Sequence, residues 1–220
     1  LLGNVGVTTG GGVGDNFTIS GTTNGDIAGK NVTVTAGLGN VTFTGAVGAA
    51  QKLGTLTVTS GATTTFGSTV AADEIGLTST TVQLTGDVTS STSGLVIPGN
   101  LVLLGNVGIT TGGIAGHDFS VSGTTEGAGQ NLTVTAGLGN VTFTGAVGAA
   151  QKLGTLTVLS GETTRFDSTI QADEIGLTST TVQLTGDVTA STSGLAITGN
   201  LILLGNVGVT TGGGVGDNFT

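Results

Sequence analysis

The chain has 220 residues, 44 of them Gly and 45 Thr, with one Pro and no Cys, Met, Trp or Tyr. Thr, Val and Gly are poor helix formers, which excludes an all-α fold, and a mean hydropathy of +0.41 excludes a disordered linker. Thirteen acidic against four basic residues give a net charge of −9, a balance that repels nucleic acid and anionic membranes. Gly has no three-residue period, so collagen is out. No run of 18 apolar residues exists to cross a membrane as a helix. The first residues stand in mid-pattern and carry no secretory signal, so the chain reads as a segment of something longer.

Self-similarity dominates. LLGNVGVTTGG at Leu1 returns as LLGNVGITTGG at Leu103 and unchanged at Leu203. Thr33 to Val58 recurs without change at Thr133 to Val158. Residues 1–102 are one repeat, 103–202 a second, and 203–220 the start of a third.

A finer period lies inside each repeat, visible as short alternating strands. Val32 and Val34 precede Val41, Phe43, Gly45 and Val47, which share one face. Leu56 and Val58 precede Phe66, Ser68 and Val70. Ile75 and Leu77 precede Val82, Leu84, Gly86 and Val88. Leu95 and Ile97 precede Leu101, Leu103, Gly105 and Val107. Phe119 fits the pattern less well, because Val121 and Gly123 follow it. One large apolar residue recurs throughout: Leu1, Phe17, Phe43, Phe66, Leu84, Leu103, Phe119, Phe143, Phe166, Leu184, Leu203 and Phe219. The gaps in the first repeat are 16, 26, 23, 18 and 19 residues.

This spacing predicts an all-β parallel β-solenoid of about 20 residues per coil, with five coils per repeat and about eleven in all. Coils stack about 4.8 Å apart, so the recurring residues from Phe17 to Leu203 form an internal ladder. Gly-Asn pairs ending at Asn40, Asn100, Asn140 and Asn200 suit positive φ at sharp corners. Differences between the copies agree with this parity. Ala62 becomes Glu162, Thr65 becomes Arg165, Gly67 becomes Asp167 and Ala71 becomes Gln171, all at outward positions, while inward Val70 becomes only Ile170. Thr59, outward by parity, becomes Leu159 and is the exception. Tandem immunoglobulin-like sandwiches are the alternative fold. They have about seven strands and usually an aromatic core residue, and lack the 20-residue subperiod.

The segments LTVTSG, TTTFGSTV, VTFTGAVG and VQLTGDV resemble the β-strand repeats of giant bacterial surface proteins. They are similar to those of filamentous haemagglutinin-type adhesins and autotransporter passengers. The resemblance implies an extracellular, rigid stalk or filament on a bacterial cell surface, and no catalytic residue.

The residues themselves offer little chemistry. His117 is the only His, and Asp15 stands at its place in the first repeat. The pairs Asp73-Glu74 and Asp173-Glu174 read as solvated turn residues, since neighbours on a strand point apart. GGGVGDNF at Gly10 to Phe17 approaches a calcium-binding nonapeptide but is one residue short and not tandem, so calcium is the one cofactor considered and none is expected. No phosphate loop follows the glycines. Asn-x-Thr sequons at Asn31, Asn40, Asn131 and Asn140 are expected by chance in so Thr-rich a chain.

Two outer features remain. Thr33, Thr35, Thr57, Thr59, Thr78 and Thr80 form outward rows, broken by Val96 and Pro98 and by Leu159 in the second copy. Val102 and Leu104 point outward, as do Ile202 and Leu204 in the next copy, an apolar stripe for lateral contact between rods. The expected function is therefore a structural segment of a filament or adhesin stalk. It is one continuous solenoid without caps, its partner is itself through coaxial continuation or stacking, and it assembles without nucleic acid. The alternative is a carbohydrate- or cell-binding adhesin module using outer Thr and Asn faces. An enzyme is not expected, because solenoid lyases and esterases use basic and aromatic side chains that are scarce here.

Overall fold

A computed structural model describes all 220 residues. It contains no helix; parallel strands stack as a β-solenoid of about 9 turns, with about 21 residues per turn. At the usual spacing of stacked strands the rod is about 43 Å long.

Each turn has three faces. On the first face the ladder begins Val5, Val32, Leu56, Ile75, Leu95 and Phe119, each paired in register with the next. On the second it runs Phe17, Val41, Thr64, Val82, Leu101 and Thr125. On the third it runs Thr23, Val47, Val70, Val88 and Ile109. Strands such as Val70–Leu77 and Ile170–Leu184 continue across corners and join adjacent faces. Period-2 alternation puts Val, Leu, Ile and Phe inside, and they merge into a single apolar cluster of 44 buried residues along the rod.

The repeat does not hold five whole coils. From Val5 the chain returns to the first face at Val32, Leu56, Ile75 and Leu95, four full turns. It then passes Leu101 on the second face and reaches Val107, the copy of Val5, on the third. One repeat thus advances four turns and two faces, and successive copies occupy different faces. The 16-residue gap from Leu103 to Phe119 is two-thirds of a turn rather than a short coil.

This splits the expected ladder in two. Phe17, Phe43, Phe66, Leu84 and Leu103 line the second face. Phe119, Phe143, Phe166, Leu184 and Leu203 line the first. In each half the Phe rings pack in the same way. Phe17 meets Phe43 edge-on at 6.0 Å and Phe43 stacks on Phe66 at 5.4 Å. Phe119 meets Phe143 edge-on at 5.7 Å and Phe143 stacks on Phe166 at 5.0 Å. Leu203 is half exposed because no coil covers it.

The corners match the expectation only in part: of the glycines in the four Gly-Asn pairs, Gly199 alone has positive φ, at 125°. None of the Asn residues has positive φ; the only such non-Gly residue is Ala128. Instead, Asn side chains bond the coil above. Asn4 Oδ1 accepts the Asn31 amide at 3.0 Å, and Asn31 Oδ1 accepts the Thr55 amide at 2.9 Å. Asn40 and Asn100 do the same for Thr63 and Thr124. Left-handed backbone falls to glycines such as Gly37, at φ 53°, where an added Cβ would lie 2.5 Å from Gly11 Cα in the coil below.

Two hydroxyls inside the rod have no partner, those of Thr23 and Thr125. Thr125 sits between Leu101 and Val147 in its ladder. Val is its apolar isostere and leaves no hydroxyl buried without a bond. Thr125→Val is therefore expected to stabilise the rod by about 1 kcal/mol, measured as a rise in chemical-denaturation midpoint; a lower midpoint would contradict the unpaired hydroxyl.

Candidate functional site

The most concentrated side-chain chemistry lies where three coils meet. Lys52 precedes strand Leu53–Ser60, Asp73 lies on strand Val70–Leu77 one coil on, and Ser91 follows strand Val88–Ser90 one coil further. Lys52 Nζ is 2.5 Å from Asp73 Oδ1 and donates to Ser91 Oγ at 2.7 Å. Ser91 Oγ donates to Asp73 Oδ1 at 2.9 Å. The second repeat builds the same cluster. Lys152 contacts Asp173 at 2.5 Å and donates to Ser191 at 2.7 Å, and Thr192 donates to Asp173 at 2.6 Å.

A Ser within hydrogen-bond reach of a Lys is the geometry of a nucleophile and its base. Here the ammonium is paired with a carboxylate and offers no lone pair to take a proton. What the arrangement does is tie three successive coils together. The hydrogen bond from Lys52, with that from Ser91, holds Asp73 below its ordinary value. Asp173 is lowered by Lys152 first and by Thr192 next.

The acidic pairs are thus not simply solvated turn residues. Asp73 belongs to this inter-coil cluster, while Glu74 is exposed, with the Thr55 hydroxyl donating to it at 3.4 Å. The signal was present in the sequence, since Lys52, Asp73 and Ser91 are each about one coil apart and recur together at Lys152, Asp173 and Ser191.

In the Gly-rich loop the Asp carboxylates bond the loop's own backbone. Asp15 Oδ2 turns back to accept the Gly12 amide at 2.7 Å, and Asp217 does the same for Gly214 at 2.6 Å. No three His, Asp or Glu side chains converge anywhere in the chain. In the second repeat His117 replaces that Asp, and its Nδ1 is buried without a partner. The Arg165 and Asp167 changes form one ion pair at 2.5 Å, which accounts for their appearing together.

The apolar outer residues do not form one line. Val102, half-buried on the second face, lies between Gln83 and Glu126 in register. Leu104 follows it and is 49% exposed. Ile202 and Leu204, also exposed, belong to the first face, beside Gln183. The two-face advance carries each copy to a new side. Leu38 and Leu138, exposed at equivalent corners, are further outer apolar positions that strand parity did not predict. They stand between glycines outside the alternating strands.

The hollows on the surface are shallow and lined by a mixture of glycine, small polar and apolar residues, the last including Leu77, Val96 and Pro98. One is formed by Asp87, Asn106, Val107, Gly108, Asn131 and Thr133. Two of its oxygens bond the neighbouring coil: Asp87 Oδ1 accepts the Gly108 amide and Asn106 Oδ1 the Asn131 amide. No helix is long and apolar enough to cross a membrane. No protein-family model matches the chain, and no curated protein or solved structure is significantly similar to it.

A carboxylate lowered on folding adds stability above its unfolded value, 3.8 for these Asp residues, and loses it as pH falls through the folded value. Asp73→Asn with Asp173→Asn is expected to lower Tm at neutral pH, by the small amount typical of exposed pairs, about 1 kcal/mol or less each. The difference from the parent should close at pH values well below 3.8. A Tm difference independent of pH would show that the carboxylate charge does not support the cluster.

Proposed function

We propose that the chain is a structural segment of an extracellular filament or adhesin stalk on a bacterial cell surface. The observation that carries this reading is the continuous core. Its 44 residues run from the first repeat into the second without a break, so the repeats form one rod rather than hinged beads. Parallel ladders span the boundary between repeats, as where Leu101 pairs with Thr125 and Val88 with Ile109. Stiffness along the axis suits a spacer, and the clusters at Asp73 and Asp173 reinforce it once per repeat.

The binding-module alternative uses outer Thr and Asn faces. Thr8, Thr35 and Thr59 do stand in register on the first face. Many Asn side chains, however, already bond the neighbouring coil, which leaves that alternative with fewer free groups. The test is cryo-electron microscopy of the parent protein on its own cells. A rod with axial layering near 4.8 Å standing off the cell surface is expected; the protein found only inside the cell would overturn the proposal.

Self-association is the second part of the reading. Leu104 and Leu204 present apolar surface on different faces, so each joins a different neighbour. Leu104→Asp with Leu204→Asp is expected to disperse lateral bundles of the parent rods in negative-stain images, and unchanged bundling would remove these residues from the contact.

A further inference from the structure

Asn24-Gly25 is the only Asn-Gly dipeptide in the chain. It lies in the turn after Thr23, where the third face ends. Asn24 Oδ1 accepts the Ala50 amide at 3.0 Å and the Gln51 amide at 3.5 Å, both from the next coil. Two backbone N–H groups aimed at one carbonyl oxygen stabilise the negative charge that forms there when the carbon is attacked. A nucleophile is adjacent. The Gly25 amide nitrogen donates no hydrogen bond and lies outside any strand, in a buried glycine against which the Lys30 stem packs. The Asn24 side-chain amide nitrogen has no partner to hold it in place.

The second repeat shows that an acid fits this corner. Glu126 replaces Asn24, and its carboxylate accepts the Ala150 amide at 3.1 Å and the Gln151 amide at 2.6 Å.

We propose that Asn24 is a self-modifying site that deamidates in the folded rod. The Gly25 nitrogen bonds to Asn24 Cγ, the Cγ–Nδ2 bond breaks, and ammonia leaves with the proton from the Gly25 amide. Water, reaching the half-buried side chain, then opens the five-membered imide to an aspartyl or isoaspartyl residue. One water enters and one ammonia leaves. The product carries one negative charge more than the −9 of the starting chain. The aspartyl product retains a carboxylate oxygen able to accept from Ala50, as Glu126 does from Ala150.

The folded 220-residue protein, incubated at neutral pH and one unit higher, would be digested with trypsin and the peptide ending at Lys30 sequenced by mass spectrometry. Asn24 is expected to convert at least ~10-fold faster than any other Asn in the chain, and ~10-fold faster again at the higher pH, because the attacking amide must lose its proton. Asn24→Gln retains a side-chain acceptor of the length of Glu126 and should remain unmodified with unchanged Tm. A parallel sample in urea separates fold from dipeptide. If Asn24 stays intact in the folded protein while converting in urea, or converts no faster than the other Asn residues, the proposal is overturned.

Discussion

Between the first and last coils, every interior side chain in this rod is bounded above and below by another coil about 4.8 Å away. That constraint sets nearly everything else. A residue inside must match the shape of its neighbours along the axis, so Phe stacks on Phe and Leu103 follows Leu84. The narrow interior is filled by Val, Leu, Ile and Phe, and a hydroxyl that enters it finds a partner in the wall, as Ser60 does at the Gly39 carbonyl, or remains without one. The backbone is under the same rule, since each strand bonds the strand of the next turn and corners must close without leaving amides unpaired. Asn serves that purpose by reaching along the axis rather than by bending the chain.

Much of this architecture was legible in the residues. Alternation in segments such as VTFTGAV and VQLTGDV identified inward positions, and Val41, Phe43, Val82 and Leu84 are fully or almost fully buried. The coil length was legible because large apolar residues recur. The face to which each position belongs was not. A residue series records that a position faces inward, but not which side it faces inward from. Leu103 and Phe119 therefore looked like successive rungs of one ladder, although they lie on different sides. The short gap of 16 residues between them was the visible trace of that change.

The outer surface was less legible than the core. Parity identified Val102 and Leu104 but gave no signal for Leu38, which sits at a corner where alternation stops. It also separated Asp73 from its partners, because Lys52 and Ser91 are distant in sequence and become neighbours only when the coil length is applied to polar residues as well as apolar ones. Corner and cluster act in the same direction: Asn31 toward Thr55, and Lys52 toward Asp73 and Ser91, both bond along the axis. Side chains thus repeat the backbone's own pattern of bonding.

The advance of four turns and two faces has a consequence for how such a chain changes length. Adding or losing one repeat, the natural slip between near-identical stretches of coding sequence, lengthens or shortens the rod by about 22 Å at the usual coil spacing. It also swings everything beyond that point by a third of a circle. Three repeats restore the original bearing after fourteen turns. Copy number in this architecture is therefore a steering setting as well as a length, and two chains differing by a single repeat would aim the same distal feature in different directions.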